Sequence, residues 1–269
     1  MTNLSLSHAW DETKAILARD GNLLGTVALA LVVLPQAIYG AFFAQEAQLS
    51  PVSQLVGLAV ILIGLAAQLA LNRLAIGPST TVGAAIGRGA ARTPAALATF
   101  LIVIVAMSFL FLPVAMLLVS IGVLEAAAAA GTLPPPRLLG IFLVYFLFVF
   151  SIFQLIVPIA AAERGGPLHI LARSWKLGIR QYWRLFTFLI FVLIGLLVVW
   201  LTGQLLAGIF TSLALGPPRA GSLSAALLSL IVAAAQGAYT MVSAVMLARI
   251  YAQLAGGGTV QASVPRSGT

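Results

Sequence analysis

The stretch ARSWKLGIRQYWRLFTFLIFVLIGLLVVWL, residues 172–201, decides the fold class of this chain. It begins with clustered cations and aromatic side chains and continues as a long apolar run. A helix of about 20 apolar residues crosses the ~30 Å hydrocarbon core of a bilayer. Comparable runs recur along all 269 residues, of which 61% are hydrophobic and only 7% are charged. The sequence therefore predicts an all-α, polytopic membrane protein.

Hydropathy divides the chain into six predicted membrane spans, and little of the chain lies outside them. Residues 1–255 are expected to form a single transmembrane domain. Residues 256–269 have no apolar periodicity and are expected to form a disordered cytoplasmic tail. The acidic, amphipathic segment before the first span does not fit a cleavable signal peptide, so we expect that span to remain in the mature protein. The predicted spans cover about 23–44, 52–76, 96–124, 137–162, 184–212 and 223–248.

The distribution of cations predicts the orientation of the spans. Of the fourteen Lys and Arg residues, only Arg137 and Arg219 fall in the connections after spans three and five. The other twelve lie before span one, between the last turn of span two and the start of span three, between the end of span four and the first residue of span five, or after span six. Because Lys and Arg near span ends are retained in the cytoplasm, both termini are predicted to be cytoplasmic. The net charge of +8 is thus assigned to orientation and to lipid phosphate, with no nucleic-acid partner.

The basic segments also begin a repeating unit. Three segments each follow a helix-start signal and continue for roughly four helical turns into a span. They cover residues of approximately 6–20, 79–92 and 167–183. We expect each to form an amphipathic helix at the cytoplasmic surface, followed by a transmembrane hairpin. The predicted architecture is therefore three hairpins, each preceded by an interfacial helix. The predominance of Arg over Lys and the high alanine content favour a bacterial inner membrane.

The third interfacial helix carries the candidate binding site. At 100° per residue its cations fall within about 80° of one another, and its larger apolar residues gather on the opposite side. Ile170 and Leu177 are misplaced near the basic face. A helix of this kind lies in the membrane interface with its cations at the level of the lipid phosphates. The stripe comprises Arg173, Lys176, Arg180 and Arg184.

Two interpretations of this helix remain open. In the first, its aromatic residues form an interfacial belt and its cations only set orientation. In the second, it binds the head group of an anionic phospholipid, because Arg forms bidentate bonds to phosphate and indole rings lie at that depth. The candidate head-group residues are Arg173, Trp175, Lys176, Arg180, Tyr182, Trp183 and Arg184.

A local motif in this helix resembles a known family. RSWKL at residues 173–177, followed by YWRL at residues 182–185, resembles the bacterial six-span glycerophosphoryl diester phosphodiesterase membrane domain and related uncharacterised inner-membrane proteins. The resemblance implies a membrane module that is sometimes fused to a cytoplasmic phosphodiesterase domain. It implies no catalysis by the module itself. These 269 residues contain no segment for such a domain, so the enzyme name is not carried over.

Residue types that carry chemistry are scarce within the predicted spans. The chain has no cysteine, its six acidic residues fall at or outside span ends, and its two histidines have no neighbouring ligand pattern. We therefore expect no catalytic residues, no metal and no cofactor. Polar side chains inside the spans are more often helix-to-helix hydrogen bonds than a substrate site. They are Gln68, Asn72, Gln154, Gln204 and Gln236.

The favoured function is a non-enzymatic membrane module that engages anionic phospholipid, in membrane homeostasis or as a scaffold. Membrane phospholipids are its expected partners, with a protein partner or a second copy of the chain as further candidates. The alternative is a transporter of a small molecule or lipid, with a path between the hairpins. That path would be lined by Gln68, Asn72, Gln204 and Gln236.

Overall fold

The computed structural model describes residues 4–43, 50–77, 81–120 and 136–256. These residues form helices and short connections, and no strand occurs among them. The α-helices are α1 (Leu6–Ala28), α2 (Leu34–Phe42), α3 (Pro51–Ile76), α4 (Val82–Ser120), α5 (Pro136–Phe153), α6 (Ile156–Ala162), α7 (Pro167–Arg180), α8 (Tyr182–Thr202), α9 (Gly208–Leu215) and α10 (Leu223–Ala255). Single π-helical turns, Leu29–Val33 and Gly203–Ala207, join α1 to α2 and α8 to α9.

Six helical runs are long and apolar enough to cross a membrane, which confirms the predicted fold class. Runs two, four, five and six agree with the predicted spans to within several residues where both are described, whereas runs one and three begin earlier than predicted, at Leu6 and Val82 instead of about 23 and 96. The predicted tail beyond Gly256, the start of the second interfacial helix and the end of span three lie outside the described residues. The arrangement as three hairpins, the single domain and the orientation stay predictions.

Two of the expected interfacial helices are not separate elements. α1 passes from the segment predicted at 6–20 into span one, and α4 passes from the segment predicted at 79–92 into span three. At 1.5 Å per residue the 39 residues of α4 extend for about 58 Å. Because the hydrocarbon core is only ~30 Å thick, the first turns of such a helix project beyond it.

The third unit differs because its helix breaks before the span. α7 ends at Arg180, and Gln181 leaves helical geometry with φ −128° and ψ 30° before α8 begins. The helix predicted over 167–183 is therefore three residues shorter in the structure. This break allows α7 to lie at an angle of its own while α8 continues as span five.

Prolines act differently in the three spans that contain them. Pro158 has no N–H for the carbonyl of Gln154, and span four breaks there into α5 and α6. Pro35 follows the π-helical turn Leu29–Val33, where the hydrogen-bond register of span one changes. Pro113, by contrast, leaves α4 continuous.

α10 lies near the centre of the bundle and contacts α1, α2, α3, α8 and α9. Besides its contact with α10, α3 packs against α4 and α6. Large apolar side chains on α4 and α8 face outward, as Phe109 and Phe191 do with 68% and 67% of their surface exposed. An outward apolar surface is what contact with lipid requires, whereas a soluble bundle would bury it.

Small residues let the central helices approach closely. A Cβ atom on Gly89 of α4 would lie 2.7 Å from the backbone oxygen of Ala66 on α3. Two residues earlier in the same helix, Gly87 is exposed, and a Cβ atom there would have no neighbour within 4 Å. The two glycines therefore form a matched pair that differs in packing alone.

Replacing Gly89 with alanine is expected to destabilise the bundle by about 1–3 kcal/mol, because the new methyl group meets a backbone atom that cannot move alone. The control Gly87→Ala should be neutral or stabilising by about 0.5–1 kcal/mol, since it only reduces the freedom of the unfolded chain. Thermal unfolding of the purified protein in detergent measures both. Equal effects of the two substitutions would contradict the close crossing of α3 and α4.

Candidate functional site

The starts of α1, α4 and α8 and the ends of α3, α6 and α10 meet at one end of the bundle. This region is called the basic end, and it is defined by the contacts that follow. Glu12 on α1 accepts a hydrogen bond from Nε of Arg249 on α10 at 2.9 Å. Arg184 at the start of α8 donates to the carbonyl of Leu4 before α1. Helix ends that the charge pattern assigns to one side of the membrane are thus neighbours in the structure.

Glu163 joins three elements at the basic end. It follows α6, and its Oε1 accepts hydrogen bonds from the Tyr251 hydroxyl at 2.7 Å and from Nε of Arg173 at 3.1 Å. Its Oε2 lies 2.9 Å from Nε2 of His169. These partners come from α7 and α10. We call Glu163, His169, Arg173 and Tyr251 the Glu163 cluster.

The pKa of Glu163 reflects a competition. Partial burial raises the pKa of this carboxyl, but the hydrogen bonds from Tyr251 and His169 and the charge of Arg173 outweigh burial. The net effect holds the pKa of Glu163 below its usual value. The cluster thus favours a charged carboxylate in the folded state.

Arg92 of α4 supports the same region by capping α6. Its guanidinium donates to the carbonyls of Ala160 at 3.1 Å, Gly165 at 3.0 Å and Glu163. Carbonyls at the end of a helix lack partners within the helix, and a cation there also favours the negative end of the helix dipole. Arg92 therefore holds the connection that carries Glu163.

These contacts divide the predicted basic stripe into two kinds of cation. Arg173 and Arg184 are bonded within the protein, to Glu163 and to Leu4. Lys176 and Arg180 are exposed, and neither has an ion-pair or hydrogen-bond partner among the described residues. Only these last two cations of the stripe are available to a head group without breaking a contact.

α7 has a third face that the predicted two-sided pattern did not include. Ile170 and Leu177, which that pattern misplaces, are buried. Ser174 lies on the same inner face, and its hydroxyl donates to the carbonyl of Ile152 at 3.2 Å. α7 thus packs on α5 as well as facing the membrane, so one apolar side meets protein and another, with Leu168 and Ile179, is exposed.

The aromatic candidates also take different positions. Trp175 is about half exposed and packs against Phe153 of α5, with ring centroids 5.8 Å apart. The Tyr182 hydroxyl donates to the carbonyl of Phe148 at 3.2 Å, which ties the start of α8 to α5. Trp183 is 69% exposed. Trp175 and Trp183 are thus placed for contact with lipid, and Tyr182 has a packing role.

An apolar groove lies beneath α7, between α4 and α5. Its volume is about 480 Å³, and Leu168 and Trp175 of α7 close one end of it. Along α4 the groove extends from Ile102 to Leu110, eight residues and therefore about 12 Å. Phe153 lines the groove and packs against Trp175. The groove was not predicted, since its lining comes from three separate helices.

Three of the predicted intramembrane polar residues do not share a site with the others. Gln154 occupies the break in span four and donates to the carbonyls of Ser151 at 3.1 Å and Leu185 at 2.7 Å. Asn72 is buried and donates to the carbonyl of Gln68 one turn earlier at 2.8 Å. Gln68 itself is exposed. Neither Gln68 nor Asn72 lines the pocket that contains the remaining two amides.

Gln204 and Gln236 line a polar pocket of about 270 Å³ between spans one, five and six. Gln36 and Ser229 complete its polar lining, and Oε1 of Gln36 is buried without a hydrogen-bond partner. We call these four residues the amide pocket. Sequence reasoning missed Gln36, although a lone amide beside Pro35 in an apolar span was a usable signal.

Comparisons with protein-family models, with curated proteins and with solved structures find no match to this chain. The resemblance of residues 173–177 and 182–185 to a membrane-domain family therefore stays a prediction.

The Glu163 cluster should make stability depend on pH. Because the pKa of Glu163 is lowered on folding, its contribution is present above the ordinary value of 4.5 and is lost as the pH falls through the folded-state pKa. Glu163→Gln is expected to cost about 1–3 kcal/mol at pH 7. The difference from the wild type should shrink below pH 4.5. Thermal unfolding measured between pH 3 and pH 7 tests this.

Asp11→Asn is the matched control, since it also removes one carboxylate charge at the basic end. Asp11 pairs with Lys14 at 2.8 Å on the exposed side of α1, where such a pair contributes little to stability. Stability should therefore stay close to that of the wild type. A pH profile of Glu163→Gln parallel to that of the wild type would contradict the assigned role of the carboxylate.

Proposed function

We propose that this chain is a non-enzymatic membrane module that binds an anionic phospholipid at α7. The head group contacts Lys176 and Arg180, and one acyl chain occupies the groove beneath the helix. The observation that carries the proposal is the proximity of two unpaired, exposed cations to an apolar groove on one short helix. The resemblance to a bacterial membrane domain is consistent with a module of this kind.

The position of Lys176 connects the two halves of the site. Ala172 lines the groove, and Lys176 follows it by four residues on the same helix. Side chains four apart lie about 40° from each other around a helix, so the ammonium group stands above the edge of the groove. Trp175, which closes the groove, is next to Lys176 in sequence. A lipid whose chain lies in the groove therefore presents its phosphate to this cation.

Charge, more than the groove, supplies the selectivity. Lipid tails are already in an apolar phase, so moving one into an apolar groove gains little free energy. Each cation at the surface of an anionic leaflet contributes about 1 kcal/mol. Two cations then favour an anionic lipid by about 2 kcal/mol, which corresponds to roughly 30-fold enrichment. The groove fixes the position of the lipid and thereby keeps the phosphate near Lys176.

The proposal places α7 at the cytoplasmic leaflet of a bacterial inner membrane, with both termini on that side. The positive charge of the basic end supports this orientation, because cytoplasmic leaflets are negatively charged. A bound lipid at α7 touches span three, span four and the Glu163 cluster through one helix. This geometry suits a module that senses or organises lipid and needs no catalytic group.

The double variant Lys176→Gln/Arg180→Gln should lose most of its selectivity for anionic lipid while staying folded. Mass spectrometry of lipids retained from mixed phosphatidylglycerol and phosphatidylcholine membranes measures this, with an expected loss of about 10- to 30-fold. Arg173 and Arg184 are left intact because both are bonded within the protein. Unchanged retention of phosphatidylglycerol would overturn the proposal.

The double variant Lys14→Gln/Arg19→Gln serves as the control. It removes the same two charges from the exposed surface of α1, where Lys14 and Arg19 pair with Asp11 and Asp20. Retention of phosphatidylglycerol should remain that of the wild type. An equal loss in both variants would show that net charge, and not the α7 site, determines selectivity.

A second candidate function, transport of a small polar solute, is favoured by the amide pocket. Gln36, Gln204 and Gln236 come from three spans, and Gln204 belongs to a π-helical turn, a feature frequent at functional sites. Two of the four residues predicted to line the path, Gln68 and Asn72, lie outside the pocket. The pocket supports a site for an uncharged molecule that forms hydrogen bonds.

Protein-dependent flux of glycerol into reconstituted vesicles tests this second candidate. Gln236→Leu should reduce such flux at least about tenfold, because it removes a donor and an acceptor from the pocket. The control Gln68→Leu changes an exposed amide outside the pocket and should leave flux unchanged. Absence of flux in the wild type would count against transport of this solute class.

A further inference from the structure

Three arginines at the basic end stand apart from the Glu163 cluster and from the α7 lipid site. Arg73 lies in the last turn of α3, Arg88 near the start of α4, and Arg164 in the connection between α6 and α7. Within the described parts of the chain none of them has a carboxylate partner. By contrast Arg92, Arg173 and Arg249 are bonded to the protein.

Backbone contacts bring Arg73 and Arg88 together. Gly89 lies against α3, where its Cβ position is 2.7 Å from the carbonyl of Ala66 and 3.1 Å from the nitrogen of Ala70. Arg88 is the residue before Gly89, and Arg73 follows Ala70 by three residues, or about one turn. The crossing of α3 and α4 therefore places these two cations at the same edge.

Arg164 reaches this edge through Arg92. Arg92 follows Arg88 by one turn of α4, and it donates to the carbonyls of Glu163 and Gly165 on either side of Arg164. The backbone of Arg164 is thus held at the tip of the Arg92 side chain. Arg88 and Arg164 are both exposed, whereas Arg73 is partly buried.

The arrangement is electrostatically frustrated. Burial and, to a smaller extent, the positive charges of Arg88 and Arg164 act unfavourably on the charge of the Arg73 guanidinium. Nε of Arg73 is buried and lacks a hydrogen-bond partner among the described residues. A buried donor without a protein partner calls for a water molecule or an ion, and three converging cations select an anion.

We propose that Arg73, Arg88 and Arg164 form a binding site for a phosphate-bearing anion with at least two negative charges. Guanidinium groups bind phosphate oxygens through paired hydrogen bonds, and an anion between them replaces repulsion with attraction. Nε of Arg73 supplies a donor that points to no other acceptor. A phosphate monoester or a diphosphate fits this chemistry, whether it belongs to a lipid head group or to a soluble molecule. The site shares no residue with the α7 site and does not depend on it.

Thermal unfolding of the purified chain in detergent gives the first test, with pyrophosphate titrated at constant ionic strength. Pyrophosphate should raise the melting temperature of the wild type to a plateau, and sodium chloride at matched ionic strength should not. Arg88→Gln should weaken the apparent affinity for pyrophosphate at least about tenfold. Arg219→Gln, an exposed cation at the other end of the bundle, should respond as the wild type does.

The effect of Arg88→Gln on the melting temperature should change sign when pyrophosphate is added. Without pyrophosphate the variant should melt at or above the temperature of the wild type, because removing one cation relieves repulsion. At saturating pyrophosphate it should melt below the wild type. Arg88 is exposed, so the variant is expected to fold. An identical pyrophosphate response of wild type and Arg88→Gln would overturn the proposal.

Phosphatidic acid, whose head group is a phosphate monoester, distinguishes the two sources of phosphate. If the ligand is a lipid, phosphatidic acid should be retained by Lys176→Gln/Arg180→Gln, in which the α7 site is removed, and lost when Arg88→Gln is added to that variant. If the ligand is soluble, pyrophosphate should stabilise the chain and retention of phosphatidic acid should not depend on Arg88. Failure of both probes would refute this site and leave the α7 proposal standing.

Discussion

The carboxylate of Glu163 is the interaction on which the basic end depends. It is placed by Arg92, which caps the end of α6, and it binds residues of α7 and α10 at once. α7 is only 14 residues long and would be marginal as an isolated helix in water. Its position therefore comes from tertiary contacts: the Arg173 ion pair on one side and the buried Ile170 and Leu177 on another. The apolar groove exists because these contacts hold α7 against the middle of α4 and the end of α5.

Ion pairing within the protein also determines which cations are available to bind a ligand. The net charge of +8 cannot be neutralised within the chain, so some cations at the basic end must lack a carboxylate partner. The structure separates them by location: Lys176 and Arg180 lie on α7, which lines the apolar groove, whereas Arg73, Arg88 and Arg164 lie on α3, on α4 and in the connection after α6. The first group suits a phosphodiester at the membrane surface. The second concentrates three charges and suits a more highly charged phosphate.

The six spans were predictable because membrane insertion depends on apolar length, which is a local property of the sequence. The third face of α7 was not predictable in the same way. A two-sided pattern assumes that all the apolar residues of the helix face the membrane. Ile170 and Leu177, which are misplaced in the two-sided pattern, are buried against other parts of the protein, and this explains their positions. The partners of Glu163 lie up to 88 residues away, and only the fold brings them together. Gln36 shows the opposite case, where a local signal was present and was overlooked.

The amide pocket and the basic end use different chemistry for a physical reason. Charged groups at the basic end lie at the ends of the apolar helices, and Lys176, Arg180, Arg88 and Arg164 among them are exposed, so much of their solvation is kept. Gln36, Gln204 and Gln236 lie along apolar helices, where an ionised side chain would be costly and a neutral amide is tolerated. Amides both donate and accept hydrogen bonds but do not titrate, so this pocket cannot couple to a proton through its own side chains. Any solute that enters it is recognised by hydrogen bonding and shape, with no change of charge.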